Sequence, residues 1–382
     1  MLARPDYLAQ LENAVRRSPV TALLGPRQAG KTTLARQFAE GKQVAFFDLE
    51  SLVDQRRLQI PEMALGELQG LVILDEIQQM PELFSVLRVL VDRPANPARY
   101  IILGSASPQL IRRAAESLAG RVEFIELSGF DLVETGSAAW QQLWLRGGFP
   151  RSFLSISDED SLAWREGFIR TFLERDLPQL GINIPPLAMR RFWTMLAHYH
   201  GQIWNASELG RSMGLNDKTV RAYLDLLSGA FMMRQLQPWY ENISKRQVRS
   251  PKIYLRDSGL LHSLLDIPDA QALLGHPKVG ASWEGFVIEQ AMQILHPAEG
   301  YFWSTHAGAE LDLLFFHRGE RYGIEVKFNE APESTRSMRS ALQDLTLAHL
   351  WVIYPGRHSY PVHDRITAWP FQDLEGLLAQ LG

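Results

Sequence analysis

The sequence predicts an α/β fold: a parallel sheet covered by helices, then a helical region closing in a helix-turn-helix with a wing, then a smaller α/β unit. Three observations predict it. Short β-rich runs alternate with helical stretches over the first third, the pattern of a parallel sheet; the runs are Val20–Leu24, Val44–Leu49, Leu71–Leu74, Tyr100–Leu103 and Val122–Leu127. From Trp140 to about Ser228 the pattern is almost wholly helical, broken at Gly147-Gly148, Pro185-Pro186 and Gly214. Beyond Gly275 a helix at Trp283–Leu295 precedes a hairpin pattern from Leu311 to Lys327 and a strand at Leu350–Tyr354. The expected domains are residues 1–136, 137–274 and 275–382.

At 382 residues the chain is too long for one compact core, and at 46% hydrophobic it is too apolar for disorder. A net charge of -4 excludes a polycation that coats nucleic acid or acidic membrane, so any DNA binding must come from a local patch. The absence of cysteine excludes disulfides, thiolate zinc sites and a cysteine nucleophile. The N-terminal stretch has scattered charges and no signal-like apolar core, and no apolar run approaches the roughly 20 residues that span a bilayer. A cytoplasmic protein with no membrane partner is expected.

Gly25-Pro26-Arg27-Gln28-Ala29-Gly30-Lys31-Thr32 fits the phosphate-loop pattern G-x-x-x-x-G-K-[ST], between an apolar strand and a helix beginning near Thr33. Its backbone N–H groups would close on phosphate oxygens, Lys31 would reach the terminal phosphates, and Thr32 would offer its hydroxyl to Mg²⁺. ATP and Mg²⁺ are the expected ligands. In Leu71-Val72-Ile73-Leu74-Asp75-Glu76 a buried strand ends in two acids, so Asp75 would serve the metal and Glu76 the attacking water. The strand Val44–Leu49 falls between the two motifs. Ser105, in Gly104-Ser105-Ala106-Ser107, is a candidate sensor of the terminal phosphate or a simple turn serine. Arg121 is the candidate cation for the developing charge, in cis or from a neighbouring copy of a homo-oligomer, with Arg112, Arg113 and Arg146 as rivals.

Ser207 reads as the cap of a helix that Gly214-Leu215-Asn216 turns into a second helix opened by Asp217. Leu209, Met213, Leu215, Val220, Leu224 and Leu227 would pack the pair, leaving Lys218, Thr219 and Arg221 outward. Strands at Phe231–Gln237 and Lys252–Leu255 would complete a winged helix. Between Ser207 and Arg256 nine Lys/Arg stand against four Asp/Glu, an excess that suits phosphate contacts; the same shape also serves protein contacts.

Glu284, Asp312, Glu325 and Lys327 follow the E…D…E-x-K order of restriction-endonuclease-like folds. With a turn at Arg318-Gly319, Asp312 falls opposite Glu325, while Leu311, Leu313 and Phe315 take the apolar side. Opposed carboxylates need a neutraliser, and Mg²⁺ held by Glu284, Asp312 and Glu325, with Lys327 beside the phosphate, would supply one. The structural alternative is an ion pair of Glu310 with Lys327 and two solvated acids.

On GPRQAGKTTLARQF, LVILDEIQ, LGSAS, SLAGRV, RGGFP, TFLERDL, SPKIYLRDSGLL, WEGFVIEQ and ELDLLFF with GIEVK, the whole chain resembles a prokaryotic family of AAA-type ATPases whose C-terminal part is domain of unknown function 4143. It departs at Leu127-Ser128-Gly129-Phe130, where the family more often has proline before the serine. The resemblance implies a P-loop AAA-type ATPase core, a winged helix and a restriction-endonuclease-like domain. The expected function is an ATPase that couples hydrolysis to DNA binding or processing, with a metal-dependent nuclease-like domain. The alternatives are an ATP-dependent switch that binds protein partners without cleaving DNA, and a transcription regulator using the winged helix alone.

Overall fold

The computed structural model describes residues 2–94, 98–105, 114–179, 184–241 and 246–381. The chain forms two compact units, one of Met1–Gly129 with Gly229–Phe231 and one of Phe130–Ser228 with Met232–Gly382. No helix among the described residues is long and apolar enough to cross a membrane.

The N-terminal unit holds strands β1 (Val20–Gly25), β2 (Val44–Asp48), β3 (Gly70–Asp75), β4 (Ala98–Ser105) and β5 (Val122–Glu126). They form a parallel sheet in the order β2-β3-β4-β1-β5. Strand β1 is buried along its full length, as a strand covered on both faces must be. Val20, Ala22 and Leu24 pack with Leu65, Phe84 and Leu87 of the helices Pro61–Gly66 and Leu83–Val91. Leu23 points the other way, onto Leu11, Leu34 and Phe38 of the helices Pro5–Arg17 and Lys31–Ala39. Strand β2 lies between the two motifs in the chain but at the edge of the sheet, and it is β4 that lies between β1 and β3 in space.

The second unit carries β6 (Gln202–Ile203), β7 (Met233–Pro238), β8 (Lys252–Leu255), β9 (Gly300–Ser304), β10 (Glu310–His317), β11 (Glu320–Val326), β12 (His349–Tyr354), β13 (Tyr360–His363) and β14 (Ile366–Pro370). Helix Ala206–Met213 ends at Gly214, whose φ of 69° makes the turn into helix Asp217–Gly229. Leu209, Val220, Leu224 and Leu227 are buried as the spacing predicts. The cap is Asn205 rather than Ser207: its side-chain oxygen accepts the Glu208 N–H, and the Ser207 hydroxyl donates instead to Asp217. Strands β7 and β8 pair antiparallel with β6 on the far side of β8.

Within the second unit the packing runs on past Gly275. Strand β7 pairs parallel with β9 through Gln237↔Tyr301 and Pro238↔Phe302, which joins all nine strands in the order β13-β14-β12-β11-β10-β9-β7-β8-β6. A buried ion cluster crosses the same seam. Glu289, on the helix Val279–Ile294, accepts from Arg234 Nε (2.7 Å) and Nη2 (3.0 Å) and from Arg256 Nε (2.8 Å) and Nη2 (2.6 Å).

The β10–β11 hairpin turns at Arg318 and Gly319, both left-handed, and its register runs from Leu313↔Ile324 to His317↔Glu320. A bulge toward β9 between Leu311 and Leu314 changes the expected faces. Leu311 and Leu314 share one core with Met338 and Val352, whereas Leu313 closes with Met292 on Gly300.

Burial works against the charge of Glu289, but the two arginines hold its pKa down at about 2. Glu289→Ala leaves both guanidiniums partly buried without their anion, a loss of about 3–5 kcal/mol. In urea unfolding, the helices of residues 130–228 and the C-terminal sheet should lose stability together, in one transition. Separate transitions, with only one shifted, would show that the seam does not couple them.

Candidate functional site

The phosphate loop is built at the end of β1. A Cβ on Gly25 would lie 2.1 Å from the Leu127 carbonyl oxygen, so only glycine fits there. Gln28 (φ 63°) and Gly30 (φ 97°) take left-handed conformations that fold the loop back to the helix Lys31–Ala39. That helix has no side-chain cap, so its first N–H groups remain for an anion. Arg4 braces the loop from behind, donating to Ala29 O (3.2 Å), Ser128 O (3.1 Å) and Gly129 O (3.0 Å). Arg4 was not legible as a site residue; its only sequence signal is a basic residue just before a Pro-started helix.

Lys31 is buried and donates to Gly25 O (3.0 Å) and Pro26 O (2.8 Å). Burial lowers its pKa to about 8, with Glu76 and Asp75 opposing the drop. Thr32 Oγ1 donates to Asp75 Oδ2 at 2.7 Å, so the two expected metal-side residues are brought together. Burial raises the Asp75 pKa, and the Thr32 hydrogen bond works against that rise. Glu76 stands next to them in a left-handed conformation (φ 56°), and Gln78 Nε2 donates to its Oε2. Arg27 pairs with Glu50 at 2.7 Å, and Thr33 is exposed on the first helical turn. Ser105 ends β4 opposite Gly25, while Ser107, Arg112 and Arg113 lie outside the described residues.

Arg121 is not near this loop. It precedes β5, accepts the Val20 N–H at the opposite end of β1, and grips Asp92 with Nε (2.7 Å) and Nη2 (2.9 Å). The strand Val20–Gly25 separates it from the loop by about 16 Å at 3.3 Å per residue. A cis role is therefore excluded on distance. Arg146 is engaged by Asp158 (2.6 Å) and by Ser155 O (2.6 Å) inside its own unit.

The C-terminal acids do converge, but around a residue that the sequence reading missed. Lys252 of β8, 4% exposed, pairs with Glu284 Oε1 (3.1 Å), with Glu310, and with Asp312 Oδ1 (3.7 Å). Tyr254, two residues on, donates to Glu284 Oε1 at 2.6 Å. Asp312 Oδ2 accepts the Val326 N–H (2.8 Å), and Lys327 pairs with Glu325 Oε1 (2.7 Å) rather than Glu310. Asp312 and Glu325 are both buried, which excludes the solvated alternative. Burial pushes the Asp312 carboxyl well above the usual range, with Glu325 and Glu284 adding to it; burial also raises Glu325. Burial opposes the charge on Lys252, yet Tyr254, Glu284, Asp312 and Glu310 raise its pKa. Among the described residues no group of three or more His, Asp or Glu is placed to hold a metal ion. The expected Mg²⁺ set of Glu284, Asp312 and Glu325 is thus not gathered around one ion: Lys327 lies against Glu325, and the Lys252 ammonium against Glu284 and Asp312. Its sequence signal was a lysine and a tyrosine at period two in the otherwise apolar strand Lys252–Leu255.

Residues 17–136 match the family model of an AAA domain, residues 137–271 a domain of unknown function (DUF8612) and residues 279–374 a domain of unknown function (DUF4143). Over 370 residues the chain is 55% identical to the uncharacterized protein Rv2008c of Mycobacterium tuberculosis, covering 97% of this chain and 84% of that one. The uncharacterized protein Mb2031c of Mycobacterium bovis matches with the same figures, 55% identity over 370 residues. A solved Walker-type ATPase of Pyrococcus abyssi aligns over 69% of this chain and 96% of its own, at 15% identity and a TM-score of 0.48.

An anionic ligand favours the ammonium form of Lys31, so binding raises a pKa that stands at about 8 in the free protein. Affinity for an ATP analogue should be flat below pH 8 and weaken above it, by up to about tenfold per pH unit. Lys31→Arg, which does not titrate in this range, should lose that dependence; a wild-type Kd that stays flat to pH 9.5 would contradict the assignment.

Proposed function

We propose that this chain, which belongs to the family of AAA-domain ATPases carrying a C-terminal domain of unknown function (DUF4143), couples ATP hydrolysis to DNA binding by a winged helix. The observation that carries the DNA half is the exposure of Arg211, Lys218 and Arg221 on the two helices that meet at Gly214, with Arg246 and Arg249 exposed ahead of β8. Of the other four of the nine basic residues, Arg234 and Arg256 are spent on Glu289 and Lys252 on the acid cluster, and Lys245 lies outside the described residues. The basic excess counted from the sequence is thus larger than the one available to phosphates.

At the nucleotide site, Lys31 binds the terminal phosphates, exchanging the Gly25 and Pro26 carbonyls for phosphate oxygens. Thr32 and Asp75 fit Mg²⁺, since a hydroxyl and a buried carboxylate already meet at 2.7 Å. When bound, the ion neutralises phosphate charge. Glu76 orients the attacking water and takes its proton, and Gln78 holds its carboxylate. Arg121 acts in trans, reaching the site of a neighbouring copy. Phosphodiester cleavage is not part of the proposal, because two of the acids it would need, Glu284 and Asp312, are paired with Lys252.

Lys31→Ala should abolish nucleotide binding, whereas Glu76→Gln should retain binding and stall turnover at least about 100-fold. Wild-type turnover in both would place the site elsewhere. Arg121→Ala should be inactive alone yet regain activity when mixed with Lys31→Ala, because each supplies what the other lacks; no recovery removes Arg121 from the chemistry.

Replacing Lys218 and Arg221 with glutamine should lower the slope of log K against log salt for DNA by about 2. An unchanged slope would turn the reading toward protein contacts.

A further inference from the structure

The acid cluster of the C-terminal sheet raises a question that the nucleotide site leaves untouched. An ammonium carries three N–H donors, and Lys252 Nζ faces three carboxylates: Glu284 at 3.1 Å, Glu310, and Asp312 at 3.7 Å. Divalent ions need the same kind of oxygens at about 2.0–2.6 Å from one centre. The two occupants are mutually exclusive, since both would draw the oxygens of Glu284 and Asp312 to one point and their charges repel. Glu325, beside the pair, keeps Oε2 buried without a hydrogen-bond partner among the described residues. It is the acceptor that a metal would take and a lysine on β8 does not.

We propose that Lys252 is the resident cation of this cluster and keeps divalent ions out of it, so that Glu284, Asp312 and Glu325 gain a metal site only when Lys252 is removed. The occupant and the acids come from different elements. Lys252 lies on β8, between β6 and β7 of the wing, whereas the acids lie on the helix Val279–Ile294 and on β10 and β11. The cluster therefore acts as a clasp between the wing and the C-terminal sheet, and its charge is balanced by protein rather than by metal. Nothing in this assignment depends on DNA binding or on ATP turnover.

The test is a Mn²⁺ titration of the full chain at neutral pH without nucleotide, with free Mn²⁺ read by electron paramagnetic resonance. The wild type should show no Asp312-dependent site below about 1 mM. Lys252→Met should bind one Mn²⁺ at least tenfold more tightly, and adding Asp312→Asn should abolish that site. Lys252→Arg, which keeps a cation, should behave as the wild type. Because Lys252→Met leaves acids facing one another, its thermal unfolding is followed as well. A rise in Tm with Mn²⁺ that disappears in Lys252→Met/Asp312→Asn supports the proposal even if the metal-free variant is unfolded. A tight Asp312-dependent Mn²⁺ site in the wild type overturns it, as does a Lys252→Met chain that Mn²⁺ neither binds nor stabilises.

Discussion

A lysine ammonium removed from water has to be met by oxygen, and among the described residues two are buried, Lys31 and Lys252. They are met differently. Among the described residues Lys31 has only neutral backbone carbonyls at hydrogen-bond distance, and its pKa falls to about 8. Lys252 has three carboxylates, and its pKa rises. The first cation is under-neutralised and awaits an anion. The second is already satisfied, so it closes a structure rather than opening a site. Each arrangement decides its neighbourhood: a loop shaped for phosphate around one, a braced junction of strands and helix around the other.

The parallel sheet converts this local chemistry into a division of labour along its strands. Gly25, Asp75 and Ser105 stand at the C-terminal ends of β1, β3 and β4, where the phosphate loop and the two acids gather. Arg121 and Asp92 occupy the opposite end of the sheet. A single copy therefore keeps the phosphate lysine and this arginine apart. That separation is geometric and does not depend on side-chain rotamers, because parallel strands cannot bring their two ends together.

Much of this was legible in the sequence because the signals were local. The phosphate loop, the acids after β3 and the two-residue hairpin turn each follow from residues adjacent in the chain. Even the convergence of Asp312 and Glu325 came from turn length and strand period alone. What escaped depended on partners distant in sequence. Lys252 meets Glu284, Glu310 and Asp312 across 32 or more positions, and Arg4 meets Ser128 across 124. The basic excess between Ser207 and Arg256 misled for the same reason, since Glu289, which absorbs two of its arginines, lies outside the segment. The bulge between Leu311 and Leu314 was hidden as well, because alternation presumes an unbroken ladder.

The seam between β7 and β9 is only two residue pairs long, Gln237↔Tyr301 and Pro238↔Phe302. Such a short parallel pairing would shear easily by itself. Two ion clusters reinforce it, Glu289 with its arginines and Lys252 with its acids, and both reach the helix Val279–Ile294. A pull applied to the helix-turn-helix is therefore carried as tension through β7 and β8 into the helix Val279–Ile294 and the nine-stranded sheet. Residues 130–228 are thus held to the C-terminal sheet at several points within one compact unit, not strung to it by a single linker.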